Sequence, residues 1–173
     1  IVIYNYFCGK FKNKMINNSE IINISRNSNA TIIEYLIDES DGSFFKNTFK
    51  YLNLEENSSL NYFFINKNES GNFFYEFSKA ILSKNSNFKK YLFSSGIKFS
   101  KSDNNIKLDG ENSSSEVYSG LFLGKNCHQE IKTNVKHLKP NCQSHQDIKN
   151  VLTTRSKGVF QGKIFVDQIA QKT

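Results

Sequence analysis

Apolar and polar residues alternate over short stretches along most of this chain. Runs rich in β-branched and aromatic residues are separated by clusters of Asn, Ser, Gly and Asp, the residue types that form turns. Such runs include "IVIYNY", "TIIEYLI", "TFKYLNL", "LNYFFIN", "SEVYSGLFLG" and "GVFQGKIFV". Apolar residues at helical spacing are scarce, and the aromatic-rich "FFYEFSKAILSKN" is interpreted as a strand as well. The pattern predicts an all-β protein.

Two late strands alternate with a period of two residues, which is typical of a sheet with one buried face. Residues 130–136 and residues 159–167 both follow this pattern. The side chains predicted to face the interior are Ile131, Thr133, Val135, Phe160, Gly162, Ile164 and Val166. A sandwich, a barrel and a solenoid all fit such strands.

The turn composition is compatible with a β-solenoid, in which successive coils stack about 4.8 Å apart. Turns rich in Asn and Ser recur, and Pro140 is the only proline. In such a stack, Asn side chains of neighbouring coils could form ladders. Gly96, Gly110 and Gly124 are equally spaced, but no residue-level repeat accompanies them. Periodicity alone therefore does not choose between the three architectures.

The 173 residues suit a single domain, and 38% hydrophobic residues are enough for a sizeable core. The net charge of +7 is unevenly distributed: residues 1–120 hold 14 Lys and Arg against 13 Asp and Glu, whereas residues 121–173 hold 9 against 3. The basic C-terminal third of the chain, from Leu121, could bind nucleic acid, an acidic partner or a membrane surface. A solvated face studded with lysine is the commoner origin of such a pattern.

The cysteines indicate a reducing compartment. Cys8, Cys127 and Cys142 are odd in number and form no Cys-x-x-Cys motif. The initial "IVIYNYF" lacks the basic lead of a signal peptide, and no apolar run reaches the length of a membrane span. Because the chain starts at Ile1 inside a strand-like run and stops after another, we expect a fragment truncated at both ends.

Catalytic motifs are missing from the sequence. No phosphate-binding glycine loop, dinucleotide fingerprint, zincin helix or nucleophile elbow can be found. The acidic pairs Asp38–Glu39 and Glu55–Glu56 are adjacent, so their side chains would point to opposite faces of a strand. We interpret both pairs as charged loop edges, and the sequence predicts no catalytic residues.

A group of Cys and His residues is the strongest candidate for a metal site. Thiolate and imidazole are the ligands that zinc or iron requires, but their spacing here matches no known finger or ribbon. His137 continues the inward row of Val135, where a hydrogen-bonded core histidine is expected, and Cys142 follows a turn. We therefore predict no metal ligands in the group formed by Cys127, His128, His137, Cys142 and His145.

The segment from Asn134 to Thr173 resembles the SufB/SufD family of the SUF system for iron–sulfur cluster assembly. The matching elements are His137, the Pro140–Asn141 turn, Ser144-x-Gln146-x-x-Lys149, Val151–Leu152, Val159-Phe160-x-Gly162-Lys163-Ile164 and Ala170-Gln171-Lys172-Thr173. Residues 96–124 look like a strand pair of the same family, and residues 23–40 fit more loosely. The ending Gln171-Lys172-Thr173 favours the SufD branch over SufB, although His145 and Asp147 depart from the expected Arg and Leu.

The resemblance implies a right-handed parallel β-helix over residues 1–173, with the family's flanking helical regions outside this chain. It implies a non-catalytic scaffold subunit, in the cytoplasm or the plastid stroma, that pairs with a SufB-like subunit and a SufC-like ATPase. No partnership with nucleic acid or a membrane is implied. The Fe–S cluster belongs to the complex, and the family's ligand histidine lies in a motif beyond the equivalent of Thr173. No cofactor ligand is therefore expected in this chain.

Two other functions remain open from the residues alone. A carbohydrate-active β-helix enzyme would need a cluster of carboxylates or Ca²⁺ ligands on one face of a coil, and no such cluster can be read in the sequence. A basic nucleic-acid-binding β domain would fit the charge of the last third but lacks interleaved aromatic platforms. A salt titration of binding would test the latter, because phosphate contacts produce a steep salt dependence.

Overall fold

The computed structural model describes residues 1–171, without the side chains of residues 67–71. These residues form eight strands and one short 3₁₀ turn. The strands are β1 (Val2–Ile24), β2 (Asn29–Leu54), β3 (Ser59–Leu82), β4 (Asn87–Leu108), β5 (Ser114–Leu123), β6 (His128–His137), β7 (Gln143–Leu152) and β8 (Lys157–Val166), and the 3₁₀ turn is Gln168–Ala170. The segment "FFYEFSKAIL" lies within β3, which confirms that it is a strand.

The strands pair in parallel and wind into a solenoid of about six turns. Each of β1 to β4 crosses both faces of the solenoid, so that its two halves belong to two opposed sheets. Residues 87–95 of β4 pair with β5, whereas residues 99–108 pair with β6. β7 then continues the first sheet on β5, and β8 continues the second on β6. The parallel β-helix predicted from the sequence is confirmed.

Asparagine closes the turns at one corner of the solenoid because it tolerates the left-handed backbone conformation there. The φ angles of Asn27, Asn57, Asn85 and Asn112 lie between 56° and 58°. Each amide of this row donates to the preceding one, over distances of 3.0, 2.8 and 3.1 Å. These are the predicted ladders. The residues lie 27 to 30 positions apart, a repeat that the sequence analysis missed because it considered only glycine.

The apolar core runs along the solenoid between the two sheets. Inward residues of neighbouring coils stand in register, as Leu54, Leu82 and Leu108 do, and all three are fully buried. Each such side chain contributes about 2 kcal/mol of burial free energy. The predicted inward row of β6 is also confirmed, since Ile131, Thr133 and Val135 are buried.

The predicted burial of the β8 row is wrong, although its register is correct. Phe160, Gly162, Ile164 and Val166 pair with the buried row of β6. Nevertheless Phe160 is 44% exposed and Ile164 is 57% exposed. Within the described residues, β8 is paired on one side only, so no further coil covers this row. A Cβ at Gly162 would lie 3.1 Å from the Phe160 ring, which shows that this glycine is closely packed despite its exposure.

Candidate functional site

Charged side chains occupy inward positions in the middle coils, where alternation would call for apolar residues. Glu34 follows Ile32 and precedes Leu36 on the inward row of β2, and its carboxylate is fully buried. Lys50 occupies an inward position of the second half of β2 and is 1% exposed. Lys90 of β4 is 3% exposed. An unpaired charge in such surroundings would strongly destabilise the fold. The contacts of these groups therefore determine whether their charges are compensated.

Lys50 is the centre of this buried network. Its ammonium donates to Glu34 and to the Tyr62 hydroxyl, and Tyr62 in turn donates to Glu34. The ammonium also lies 3.1 Å from a carboxylate oxygen of Glu76 and 3.5 Å from one of Glu20. One cation therefore contacts carboxylates from three different coils.

The network continues along the solenoid through Lys90. The Lys90 ammonium donates to Glu76 and to the side-chain oxygen of Asn104, both at 2.6 Å. Ser78 donates to the same oxygen of Asn104 at 3.0 Å. Farther along, Thr133 donates to the side chain of Gln146 across the lumen. We call the first part the polar axis, consisting of Glu34, Lys50, Tyr62, Glu76, Lys90 and Asn104.

Mutual pairing sets the protonation of the polar axis. Burial alone would raise the pKa of Glu76, but the ammonium groups of Lys50 and Lys90 outweigh it and hold this pKa well below the usual range. Burial likewise opposes the charge of Lys50, yet the carboxylates of Glu76 and Glu34 raise its pKa. Glu34 is the exception, because burial outweighs the neighbouring Lys50 ammonium and raises the pKa of this carboxyl. The charged groups thus neutralise one another, and the arrangement ties the two sheets together.

A cavity of about 50 Å³ lies beside the polar axis and is large enough for a few water molecules. Lys46, Phe74, Ser100 and Gln129 occupy paired positions on neighbouring strands and so form one column. Lys46 and Gln129, at the two ends of this column, both line the cavity. The Lys46 ammonium lies 5.3 Å from the centroid of the Phe7 ring, and burial lowers the pKa of Lys46. The amide of Gln129 is buried without a hydrogen-bond partner among the described residues.

The structure does not bring the five Cys and His candidates together. Cys127 and His128 lie where β6 begins, whereas His137 and Cys142 lie at the opposite corner, about 30 Å away along a ten-residue strand. His145 is exposed on β7, where its ring lies 5.8 Å from that of Tyr118. Within the described part of the chain, no group of three or more His, Cys, Asp or Glu side chains could hold a metal ion.

Each of these residues has a local role instead. His137 is buried and its Nε2 lies 2.9 Å from the Ser144 hydroxyl, which confirms the predicted hydrogen-bonded core histidine. Burial lowers the pKa of His137. Cys142 follows the turn residue Asn141, as predicted, and its thiol lies 3.4 Å from the carbonyl oxygen of Gly110. All three cysteines are free thiols.

The acidic pairs also have structural partners. Glu55 and Glu56 lie in the turn after β2, where Glu55 accepts from the Arg26 backbone N–H at 2.9 Å and Glu56 pairs with the Arg26 guanidinium. Asp38 accepts from Ser40 within β2. Glu55 and Glu56 thus form the predicted charged edge, whereas the prediction of a loop edge is wrong for Asp38 and Glu39, which lie within β2.

The sequence analysis missed the polar axis. The signal was available in "TIIEYLI", where Glu34 occupies an inward position between two apolar residues. Alternation assigns the inward positions of a strand to apolar residues, so by itself it does not predict a charged residue there. Lys50 between Thr48 and Leu52 gives the same signal.

The chain is similar to known proteins of one system. The family model described as "SUF system FeS cluster assembly, SufBD core domain" matches residues 7–173. The iron–sulfur cluster assembly protein SufD of Escherichia coli K12 is 24% identical over 152 residues, which cover 88% of this chain and 36% of that protein. The chain thus corresponds to about a third of its relative. Among the described residues, no helical segment has the length and apolar character that a bilayer crossing requires. With a match over nearly all its length, the chain belongs to the SufBD core domain family of the SUF system for iron–sulfur cluster assembly.

Proposed function

We propose that this chain is the β-helix core of a non-catalytic scaffold subunit of a SUF complex. The observation that supports this role most directly is the polar axis, whose charged groups pair with one another inside the solenoid. The Lys50–Glu34 ion pair joins the two sheets within one coil, and the Lys50–Glu76 ion pair links that coil to the next. They are therefore suited to holding a rigid body in shape and not to exchanging protons with a substrate.

The proposal includes the partners that the family suggests. The solenoid core pairs with a SufB-like subunit, and a SufC-like ATPase binds through a region outside this chain. The chemistry belongs to the complex, in which the Fe–S cluster is the product that is assembled. The SUF description of the family model supports this assignment. Three free thiols also suit a reducing compartment such as the cytoplasm or the plastid stroma.

We further propose that this chain contributes no ligand to the cluster. The separation of Cys127 and His128 from His137 and Cys142 by the length of β6 supports this view. His137 and Cys142 also have partners of their own in Ser144 and Gly110. Stoichiometric binding of Fe²⁺ or Zn²⁺ by the chain, lost in a folded Cys142→Ser variant, would contradict the proposal.

The carbohydrate-active alternative is disfavoured by the outer carboxylates. Glu116 lies 3.0 Å from the Lys89 ammonium, and Glu130 lies 3.1 Å from that of Lys101. The pKa of Glu130 is lowered, first by its hydrogen bond from Lys101. A glycosidase acid would instead need a raised pKa and a second carboxylate facing it.

Co-expression tests the scaffold role. The full-length protein that contains this chain would be produced with the SufB-like and SufC-like proteins of the same organism, each carrying a different affinity tag. We expect all three to co-purify through any one tag, and the scaffold subunit alone to show no ATPase activity. Recovery of the SufB-like and SufC-like proteins without the chain would overturn the proposal.

A further inference from the structure

Four lysines lie on the outer face of the second sheet, in two neighbouring columns that run across the strands. Lys79 of β3, Lys107 of β4, Lys136 of β6 and Lys163 of β8 each lie between inward residues of their strands, so their side chains point outward. The pairing register places Lys107 beside Lys136, and places Asn105 and Asn134 between Lys79 and Lys163. We call these four lysines the basic stripe.

The basic stripe carries charge that the protein does not neutralise. Other lysines of the same face are paired, since Lys101 lies 3.1 Å from Glu130 and Lys132 lies 3.3 Å from Asp103. None of the ion pairs formed by the described residues includes a stripe lysine. Like charges side by side on neighbouring strands destabilise a sheet, as those of Lys107 and Lys136 do here. A ligand of opposite charge would remove this repulsion.

The surface between the lysines is concave. A shallow groove of about 210 Å³ is lined by Phe77 and by side chains of both columns of the stripe. Asn105 and Asn134 line it too, and Asn134 donates to Asn105 at 3.2 Å. Asn105 in turn donates to Asp103 at 3.0 Å, so linked side-chain hydrogen bonds form one wall of the groove.

The spacing of the stripe sets the length of its ligand. Its four strands are separated by three steps of about 4.8 Å, so the stripe spans about 14 Å. An extended peptide rises about 3.4 Å per residue, so its alternate side chains lie about 7 Å apart on one face. Three carboxylates at alternate positions of a five-residue segment would therefore match the span from Lys79 to Lys163.

We propose that the basic stripe docks an extended acidic segment of a partner protein, with acidic side chains at alternate positions. Charge complementarity requires an anionic ligand, and the span of about 14 Å fits a five-residue peptide segment. The groove lining includes one aromatic side chain, Phe77, and Phe49 is stacked on one face of its ring at 5.8 Å, so successive bases would find no row of stacking platforms there. This inference stands apart from pairing with a SufB-like subunit, and either can fail without the other.

Fluorescence anisotropy of the full chain with a labelled peptide of alternating Asp and Ser tests the proposal. The stripe variant carries Lys107→Gln and Lys136→Gln. The control variant carries Lys10→Gln and Lys12→Gln, which remove the same charge from exposed lysines of β1. We expect the stripe variant to bind the peptide about tenfold more weakly than the native chain, and the control to change the Kd by about twofold or less.

Three outcomes would overturn the proposal. The first is that the native chain does not bind the peptide at low salt. The second is that the control variant loses as much affinity as the stripe variant. The third is that an oligo-dT strand binds at the stripe more tightly than the peptide. The last outcome would make the stripe a nucleic-acid surface. Should the double variant misfold by circular dichroism, Lys163→Gln gives the same test at an exposed position, with about a threefold expected loss.

Discussion

Lys50 shows how a single residue can depend on several others inside a protein. Its ammonium is taken out of water, and only the carboxylates and the phenol around it make that position tolerable. A nonpolar residue of similar length would fit the lumen but would leave Glu34 and Glu76 without their main counter-ion. Most of the stability lost on replacing Lys50 would therefore come from the buried carboxylates that it leaves without a counter-ion.

We predict that Lys50→Met lowers the free energy of unfolding by about 3–5 kcal/mol, the range for removing one partner of a buried ion pair. Urea denaturation followed by circular dichroism would measure it. Lys12→Met on exposed β1 is the control and should change stability by less than about 0.5 kcal/mol. If Lys50→Met were as stable as the native chain, the polar axis would not hold the sheets together.

His137 should make stability depend on pH. Burial lowers the pKa of its imidazole in the folded state, so the unfolded chain binds more protons just below pH 6.5. The stabilisation is fully present above about pH 6.5 and is lost as the pH falls towards the folded-state pKa.

We therefore predict that the free energy of unfolding decreases between about pH 7 and pH 5, and that His137→Gln removes part of this decrease. His145→Gln is the control for the loss of a histidine at an exposed position. Urea denaturation at several pH values would measure both. An unchanged pH slope in His137→Gln would show that this imidazole is not desolvated in the folded protein.

At the scale of the element, the turns do as much to define the coils as the strands do. Asn85 combines a φ of 56° with two ladder hydrogen bonds, one to Asn57 and one from Asn112. The backbone conformation and the ladder contribute separately, and two substitutions can separate them. Glycine keeps the conformation at no steric cost and loses the ladder, whereas alanine loses the ladder and also incurs the steric cost of the left-handed conformation.

We predict that Asn85→Gly lowers the free energy of unfolding by about 1 kcal/mol and Asn85→Ala by about 2 kcal/mol. Thermal or urea denaturation of the two variants would give the values. The difference between them measures the cost of a left-handed alanine. Equal losses would indicate that the turn relaxes to another conformation when asparagine is removed.

At the scale of the whole molecule, local patterns predicted the class of fold but not its interior. The alternation in residues 130–136 correctly placed Ile131 and Val135 inside, because period two is a local property of a strand. The exposure of Ile164 could not be predicted in this way, since it depends on whether another coil covers it. The polar axis was missed for a similar reason: Glu34 is acceptable inside only because Lys50, sixteen residues later, reaches it from the opposite sheet.

The stacking of the coils also determines the order in which the chain unfolds. Each of β2, β3 and β4 is paired with the coil before it and the coil after it, so such a coil gains its partners only when its neighbours are already in place. We expect folding to begin where two neighbouring coils first pair and to continue by adding one coil after another. Unfolding is expected to begin at the outermost coils. Because the ion pairs of Lys50 and Lys90 join the second, third and fourth coils, we expect backbone amide exchange to be slowest there.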